Sequence, residues 1–313
     1  MNRPAASRTL LIVGTGALGT LFASRLSAAG YSVTLLGTWH AALQALREHG
    51  ARVQWPHGQI ESHAVQTASS PAEAPPAQAA IVLVKSWQTP RAARWLRECL
   101  TPDGVALTLQ NGLGNDRILA EALGPERVAV GTTTTGAHLI AAGLVRFGGE
   151  GVITLARHPR GAALAAALQD AGFQVETVDD VRGVVWGKLA INAAINPLTA
   201  LLEVPNGALL EDPAARLFMH RAAAEVAAVA AAQGITLPYA DPAAAAETVA
   251  RRTAPNLSSM LQDLRRGAPT EIEAICGAVA HIGARLGTPA PLNQALTEMV
   301  KAKVAQMAPH PSP

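Results

Sequence analysis

The sequence predicts an α/β protein in which an N-terminal Rossmann-type doubly wound parallel sheet is followed by an all-α C-terminal domain. Over roughly the first 180 residues, short runs of Val, Ile and Leu alternate with helical patterns, which is the rhythm of βαβ units. Strand signals then nearly vanish, and alanine-rich helical patterns interrupted by prolines take their place. A chain of 313 residues has room for two domains, and we place them at 1–179 and 180–313.

The predicted strands of the first domain are almost continuous apolar runs, as expected for a parallel sheet that is covered on both faces. They lie at residues 9–13, 33–36, 80–84, 105–109 and 128–130. A helix is expected over residues 20–29. Glycine and β-branched residues over 138–155 predict further strands, and 159–171 predicts one more helix.

Prolines divide the second domain into helices, and we expect them to stand between helical segments. They are Pro197, Pro205, Pro213, Pro238, Pro242, Pro255, Pro269 and Pro291. Asn256 and Ser258 are common N-cap residues, and Thr270 with Glu273 has the spacing of a capping box. The helical pattern ends near Gln306, and the proline-rich tail beyond it is expected to lack regular structure.

The composition restricts the classes of partner. Hydrophobic residues make up 49% of the chain and charged residues 15%, which excludes a disordered polypeptide. A net charge of +2, with acids and bases interspersed, indicates no nucleic-acid partner. No apolar segment is long enough to predict a membrane span, and the separated Cys99 and Cys276 suit a reducing compartment. We therefore expect a cytoplasmic protein that acts on a small molecule, and a homodimer is an open alternative to a monomer.

A glycine-rich loop between the first strand and the first helix predicts a dinucleotide site. Gly14 permits the tight turn, Gly16 lets the backbone approach a pyrophosphate, and Gly19 lets helix and strand pack closely. The predicted cofactor-binding loop comprises Gly14, Thr15, Gly16, Ala17, Leu18 and Gly19.

The end of the second strand leaves the choice between NAD(H) and NADP(H) open. An acid at this point holds a ribose 2′-hydroxyl, whereas a basic residue accepts a 2′-phosphate. Neither stands among residues 36–40. Thr38 is able to hydrogen-bond a 2′-phosphate, and His40 or Arg47 is able to provide a positive charge. An ordinary strand-to-helix turn explains these side chains equally well.

Lys188, Asn192 and Asn196 are spaced four residues apart, which places all three on one face of an α-helix. Apolar residues surround this polar stripe, and buried polar groups need partners, which a substrate would supply. A desolvated lysine has a lowered pKa and can donate a proton to the alkoxide that forms when a hydride reduces a ketone. The alternative is a solvent-facing stripe on a surface helix.

Two further polar residues follow predicted strands at their carboxyl ends, where ligands of α/β sheets bind. Lys85 follows the third of these strands and Asn111 the fourth. Taken singly, Lys85 is also explained as a solvated loop lysine and Asn111 as a turn residue beside Gly112. The nine histidines show no ligand spacing, so no metal site is predicted.

Together these residues resemble the ketopantoate reductases (2-dehydropantoate 2-reductases), which reduce ketopantoate to pantoate with NADPH on the way to pantothenate. The resemblance runs almost from end to end. Its most specific stretches are residues 14–19, 84–88, 110–114, 131–134, 188–200, 205–207 and 256–273. It implies a Rossmann domain followed by a helical domain, in agreement with the patterning.

The resemblance also implies a role for each matching residue. Lys188 would donate the proton to the C2 oxygen, and Glu271 would orient it. Lys85 and Asn111 would lie where nicotinamide and substrate meet, and Ala137 and Glu271 match positions that contact the cofactor. The residues implied to line the substrate site are Asn111, Asn192, Asn196, Asn206, Asn256 and Ser259.

The sequence departs from the family pattern at Thr38, where many members carry an arginine that contacts the 2′-phosphate. NADP(H) is still the predicted cofactor, because NAD(H) would call for an acid near Thr38; NAD(H) is not excluded. A same-fold reductase of another 2-keto acid is one alternative function. A non-catalytic nucleotide-sensing module is another, although the intact stripe that begins at Lys188 counts against it.

Overall fold

The computed structural model describes residues 8–307, so the proline-rich tail lies outside the described residues. The chain forms two compact units. The first, here the N-terminal unit, comprises Met1–Gln110 and Asn115–Val181. The second, the helical unit, comprises Asn111–Gly114 and Arg182–Pro313. A short segment that follows a strand of the first unit thus belongs to the second.

The N-terminal unit alternates strands with helices. In chain order it contains β1 (Thr9–Val13), α1 (Ala17–Ala28), β2 (Ser32–Leu36), α2 (His40–His49), β3 (Ala51–Gln54), β4 (Ile60–His63), β5 (Gln66–Ala68), β6 (Ala77–Val82), α3 (Thr89–Cys99), β7 (Leu100–Thr108), α4 (Asn115–Leu123), β8 (Val128–Thr133), β9 (Gly136–Ala141), β10 (Leu144–Gly149), β11 (Val152–Ala156), α5 (Ala162–Asp170) and β12 (Gln174–Val178). Short 3-10 turns stand at Pro71–Glu73, Ser86–Gln88 and Pro125–Arg127.

The larger sheet has the strand order β12-β11-β8-β7-β6-β1-β2-β5. Its neighbouring strands are parallel except for the antiparallel pair of β8 and β11. Ile12 of β1, Leu35 of β2 and Ile81 of β6 are fully buried, which explains the continuous apolar runs. The predicted fold class is confirmed.

A second sheet of four strands, in the order β4-β3-β10-β9, accompanies the first. The sequence predicted strands over 138–155 but did not indicate this separate sheet. The reason is that β3 and β4 are four residues long and mix apolar with polar side chains, so they form no apolar run. Val53 of β3 and Val145 of β10 pack with Leu21 of α1, and this contact holds the second sheet against the first helix.

The helical unit contains α6 (Arg182–Leu202), α7 (Pro213–Ala231), α8 (Pro242–Arg252), α9 (Ser259–Arg265), α10 (Ala278–Leu286) and α11 (Pro291–Met307), with a 3-10 segment at Asn206–Leu210 and a π-helical turn at Glu273–Gly277. Asp212 and Asp241 cap α7 and α8 through hydrogen bonds to two backbone amides each, and a proline follows each aspartate.

Pro197 lies inside α6, so the expectation that it stands between helices is wrong. Proline lacks the N–H that would bond the carbonyl four residues earlier, here that of Ala193. The thiol of Cys276 lies 3.9 Å from the Ala193 oxygen and donates to it. Thr199, two residues further on, lies 2.9 Å from the carbonyl of Ile195. The Cys276 contact thus gives the Ala193 carbonyl a partner in place of the N–H that proline lacks.

The capping box predicted at Thr270 is also wrong. The helical segment here begins at Ile272 without a side-chain cap, and Glu273 instead forms an ion pair with Lys301 at 2.9 Å. At α9 the alternative of N-capping is correct for Ser258, whose Oγ accepts a hydrogen bond from the amide of Leu261 at 3.1 Å.

Candidate active site

The glycine loop has backbone geometry that other residues would not tolerate. Gly14 has a φ of 127°, and a Cβ there would lie 2.8 Å from the carbonyl carbon of Leu83. Its amide donates to the carbonyl of Leu36 at 2.9 Å, which ties the loop to β2. A Cβ at Gly19 would collide with the carbonyl oxygen of Gly14. These two glycines therefore fix the turn between β1 and α1.

Gly16 differs from the other two glycines because a Cβ there would meet nothing within 4 Å. It is the N-cap of α1 and offers no capping side chain to the amides of the first turn, which begins with Ala17 and Leu18. Backbone amides at a helix N-terminus favour an anion. Thr15 packs against Gly37 at the end of β2. This open, amide-lined loop fits the pyrophosphate of a nicotinamide dinucleotide.

The end of β2 places Thr38, Trp39 and His40 at the surface, and α2 begins at His40. Thr38 is exposed, and Trp39 keeps 40% of its surface accessible. The ribose of a dinucleotide binds at the carboxyl end of the second strand of a Rossmann sheet. Thr38 therefore stands where the sequence placed it.

Lys85 directly precedes a 3-10 turn after β6, and its backbone amide donates to the side chain of Gln88 at 3.2 Å. Gln110, at the end of β7, donates to the carbonyl of Val84 at 2.9 Å and to Thr89 at 2.8 Å. The side chain of Gln110 thus holds the segment that carries Lys85. The structure confirms that both segments follow strands.

Ala137 lies in β9 of the second sheet, opposite Phe147 of β10. Its side chain packs on the small cluster formed by Leu21, Val53 and Val145. The cofactor contact implied for Ala137 therefore involves the second sheet, which the sequence did not reveal.

Helix α6 carries the polar stripe of the helical unit. Lys188, Asn192 and Asn196 lie within one continuous helix, and the side chain of Asn196 is buried. Gly187 lets the segment after α7 approach, because a Cβ there would lie 2.7 Å from Pro238. The Tyr239 hydroxyl donates to the Gly187 carbonyl at 2.6 Å. The start of the stripe is thus fixed by close packing.

Burial lowers the pKa of Lys188 to about 8, and the negative charge of Glu271 opposes that shift. Glu271 is only 5% exposed, and its Oε2 lies 3.5 Å from the side-chain amide of Asn111. A lysine with this pKa exchanges a proton readily near neutral pH. The structure therefore places Asn111 beside Glu271, and Glu271 within electrostatic range of Lys188, although the three residues lie far apart in the sequence.

Asn111 reaches Glu271 because the segment Asn111–Gly114 is part of the helical unit. The amide of Leu113 donates to the carbonyl of Ala274 at 2.8 Å. Gly112 has a φ of 80°, and a Cβ there would lie 2.6 Å from Ala274. Close backbone approach at a glycine thus joins this segment to the π-helical turn beside Glu271.

Asn206 and Asn256 are neighbours through their backbones, since the Asn206 amide donates to the Asn256 carbonyl at 3.0 Å. The Asn206 side-chain amide donates to the hydroxyl of Thr253 at 2.9 Å. Its Oδ1 is buried and accepts no hydrogen bond from any residue between 8 and 307. A buried acceptor without a partner is costly, and a ligand hydroxyl would satisfy it.

Ser259 begins α9, directly after the capping residue Ser258. The hydroxyls of Ser258 and Thr199 are hydrogen-bonded at 2.7 Å, and Thr199 is fully buried. Thr199 lies one turn beyond Asn196 on α6, so this bond holds the start of α9 beside the end of the polar stripe. Within the helical unit, the hydrogen bonds thus link the segments that carry Asn196, Asn206, Asn256 and Ser259.

Comparison with known proteins decides the family. The model of the family described as Ketopantoate reductase PanE/ApbA matches residues 10–160, and the model of its C-terminal part matches residues 180–304. The chain belongs to the ketopantoate reductase family. The resemblance stated from the sequence is therefore confirmed.

Relatives match over nearly the whole length of this chain. The 2-dehydropantoate 2-reductase of Halobacterium salinarum is 38% identical over 299 residues, which cover 93% of this chain and 97% of the relative. The crystal structure of a PanE/ApbA family ketopantoate reductase from Ralstonia eutropha JMP134 has a TM-score of 0.88 at 32% identity and covers 95% of this chain and 99% of its own. D-mandelate dehydrogenase, solved with NADH and anilino(oxo)acetate, has a TM-score of 0.89 at 27% identity with the same coverage.

Two features are absent from the described residues. Among residues 8–307, no group of three or more His, Cys, Asp or Glu side chains is arranged to hold a metal ion. None of the described helices combines the length and apolar character needed to cross a bilayer.

Sequence reasoning missed the Thr199–Ser258 hydrogen bond and the position of the Asn111–Gly114 segment. Thr199 lies three residues after Asn196 on the helix that carries the polar stripe, which was the available signal. No local sequence pattern predicts the contact between Gly112 and Ala274.

Proposed function

We propose that the chain is a 2-dehydropantoate 2-reductase that reduces ketopantoate to pantoate with NADPH. The observation that carries the proposal is the group formed by Lys188, Glu271 and Asn111, in a chain whose relatives with this activity match from end to end. A reduced nicotinamide dinucleotide, held through its pyrophosphate at the glycine loop, would supply the hydride for C2 of the keto acid. The residues of the chain bind and orient the substrate and the cofactor, and they move the proton.

Lys188 donates the proton that the reaction requires. Addition of a hydride to a ketone leaves a negative charge on the former carbonyl oxygen, and an ammonium group is a suitable donor to it. With a pKa of about 8, Lys188 is mostly protonated at neutral pH and gives up its proton readily. After donation the lysine is neutral and regains a proton from solvent before the next turnover.

Glu271 and Asn111 support that donor. The carboxylate of Glu271 keeps the buried lysine protonated, since its charge raises a pKa that burial lowers. Asn111 donates to Glu271 and thereby limits its orientation. We propose that Asn111 and Glu271 also contact the substrate or the cofactor.

The asparagine-rich part of the helical unit is the proposed substrate site. Ketopantoate carries a carboxylate, a ketone and a terminal hydroxyl, and side-chain amides both donate and accept hydrogen bonds. The unpartnered Oδ1 of Asn206 suits the hydroxyl. The other proposed substrate-binding residues are Asn192, Asn196, Asn256 and Ser259.

NADP(H) is the proposed cofactor. The proposed contacts are the loop of Gly14, Thr15, Gly16, Ala17, Leu18 and Gly19, together with Thr38, Lys85, Asn111, Ala137 and Glu271. The buried thiols of Cys99 and Cys276 are free, which supports a cytoplasmic location. A homodimer is also proposed, and light scattering of the purified protein tests it.

A second candidate is reduction of a different 2-keto acid. Its support is the structural similarity to D-mandelate dehydrogenase, whose structure was solved with NADH and a 2-keto acid analogue. That enzyme has the same fold at 27% identity, so the fold accommodates a different side-chain pocket.

Initial rates with ketopantoate and with phenylglyoxylate, each with NADPH and with NADH, separate the two candidates. We expect turnover of ketopantoate that collapses in Lys188→Ala. Lys301→Ala is the matched control, because Lys301 lies on α11 and pairs with Glu273 and Glu298. A higher rate with phenylglyoxylate would favour the second candidate, and tight coenzyme binding without any turnover would refute both.

A further inference from the structure

An acidic residue lies beside the end of β2, although β2 itself provides none. Strand β5 pairs in parallel with β2, with Leu36 opposite Ala68. The amide of Gly37 donates to the carbonyl of Ala68 at 3.1 Å. The residues that follow β5 therefore lie at the same edge of the sheet as Thr38.

Glu73 turns its carboxylate back to this edge. Its Oε2 accepts a hydrogen bond from the amide of Ser69 at 2.8 Å, and its Oε1 accepts from the hydroxyls of Ser69 at 2.8 Å and Ser70 at 3.3 Å. Ser69 directly follows Ala68. The Glu73 carboxylate is therefore bonded to the residue next to the one that accepts the hydrogen bond from the Gly37 amide. The backbone bond from Ser69 and the two hydroxyls lower the pKa of Glu73, which is therefore ionised at neutral pH.

Arg47 is the basic residue that acts on this carboxylate, and the helix that carries it, α2, packs against β5. It lies on α2, the helix that follows Thr38, and its guanidinium contributes to the lowered pKa of Glu73. A free arginine near the end of β2 would attract a 2′-phosphate. Because Glu73 carries the opposite charge, it offsets part of that attraction.

We propose that Glu73 and Arg47 together determine the coenzyme selectivity of this chain. Glu73 weakens the binding of a 2′-phosphate and has little effect on a ribose with a free 2′-hydroxyl, whereas Arg47 strengthens the binding of the phosphate. The inference rests on the proposed function only in requiring that the glycine loop binds a nicotinamide dinucleotide. It gives a chain with threonine at position 38 a means of discriminating between the two coenzymes.

Two fragments of the coenzymes isolate this effect from catalysis. Adenosine 2′,5′-bisphosphate carries the 2′-phosphate, adenosine 5′-monophosphate lacks it, and neither requires a substrate or a nicotinamide. Calorimetry measures their affinities for the wild-type chain, Glu73→Gln, Arg47→Gln and the control Glu48→Gln. Glutamine keeps an acceptor for the Ser69 amide and removes the charge. Glu48 is an exposed acid next to Arg47 whose carboxylate contacts Gln44 and His49.

We expect Glu73→Gln to raise the affinity for the bisphosphate by about three- to tenfold and to change the affinity for the monophosphate by less than about twofold. This is the effect expected when one exposed charge acts on a phosphate dianion. Arg47→Gln lowers the affinity for the bisphosphate by a similar factor, and Glu48→Gln changes the affinity for neither ligand. The gain in affinity in Glu73→Gln becomes smaller as salt is added. Thermal unfolding reports whether each variant is folded; if Glu73→Gln is not, Arg47→Gln decides alone.

Three results would overturn the proposal: equal changes for both fragments in Glu73→Gln, an unchanged affinity for the bisphosphate in that variant and in Arg47→Gln, or no binding of either fragment to the wild-type chain. Failure of the proposed reaction looks different. In that case the fragments bind with the expected selectivity, and neither ketopantoate nor phenylglyoxylate is reduced.

Discussion

Substitution of Glu271 by glutamine tests how the protein sets the pKa of its proton donor. Two opposing effects hold the pKa of Lys188 at about 8: burial lowers it, and the charge of Glu271 raises it. Glutamine retains the shape of the glutamate and one acceptor oxygen for Asn111 but removes the charge. Burial then acts on Lys188 alone, so its pKa falls further.

The size of the fall follows from the electrostatics of close charges. An opposite charge within a few ångströms shifts a pKa by about one to three units. With the smallest of these shifts, the pKa of Lys188 in Glu271→Gln is about 7, and its protonated fraction at pH 7.5 drops from about three-quarters to about one-quarter. The reduction rate at this pH falls about threefold for this reason alone.

The assay is kcat/KM for ketopantoate reduction between about pH 5.5 and 9.5 at saturating coenzyme, which reports the pKa of the donor before substrate binds. For the wild type we expect a plateau below pH 8 and a tenfold fall for each pH unit above it. In Glu271→Gln the break moves to about pH 7 or lower. Glu273→Gln is the control, because Glu273 pairs with Lys301, and its break stays at about pH 8. A lower plateau with an unmoved break in Glu271→Gln would refute this electrostatic role.

Three other substitutions have expected outcomes. Thr199→Val removes the buried hydroxyl that bonds Ser258, so we expect a loss of about 1–3 kcal/mol in unfolding free energy. The KM for ketopantoate rises and the coenzyme affinity is unchanged, and Thr199→Ser restores the unfolding free energy and the KM. Gly16→Ala keeps the melting temperature but weakens coenzyme binding at least tenfold, whereas Gly19→Ala lowers the melting temperature as well, because only the second Cβ collides with backbone. Asn206→Ala raises the KM for ketopantoate more than it lowers kcat, and an unchanged KM would remove Asn206 from the substrate site.

The sequence predicted those strands whose burial is visible as a local run of apolar residues. Strands β1, β2, β6, β7 and β8 each contain consecutive buried residues, most of which are apolar. Strands β3, β4 and β5 are three or four residues long and carry polar side chains at half of their positions or more. Their pairing depends on partners far along the chain, which a local pattern does not contain.

The candidate site divides in the same way. The spacing of Lys188, Asn192 and Asn196 predicted one helix face, because helical periodicity is a local property. The contacts of Asn111 with Glu271 and of Asn206 with Asn256 join residues separated by 160 and 50 positions. Only the resemblance to a family indicated that these residues act together.

Pro197 shows why a correct local rule gave a wrong expectation. Proline inside a helix removes one hydrogen bond, and this usually ends or kinks the helix. Here the carbonyl of Ala193 accepts from the Cys276 thiol instead, and burial raises the pKa of that thiol far above its usual range, so it keeps its proton. The compensation comes from a residue 83 positions away, which no rule about neighbours in the sequence can supply.

The coenzyme question carries this argument one step further. The sequence rule inspects the end of β2, where Thr38 provides no charge, and on that ground favours NADP(H). In the sheet, however, the end of β2 has β5 as a neighbour, and the hydrogen bond from Gly37 to Ala68 brings the loop that carries Glu73 to the same edge. The charge near the ribose site is then the sum of Glu73 and Arg47, neither of which belongs to β2. If the proposal holds, coenzyme preference in this chain depends on the loop after β5 and on helix α2 as well as on the end of β2, so a rule that inspects β2 alone misses both charges.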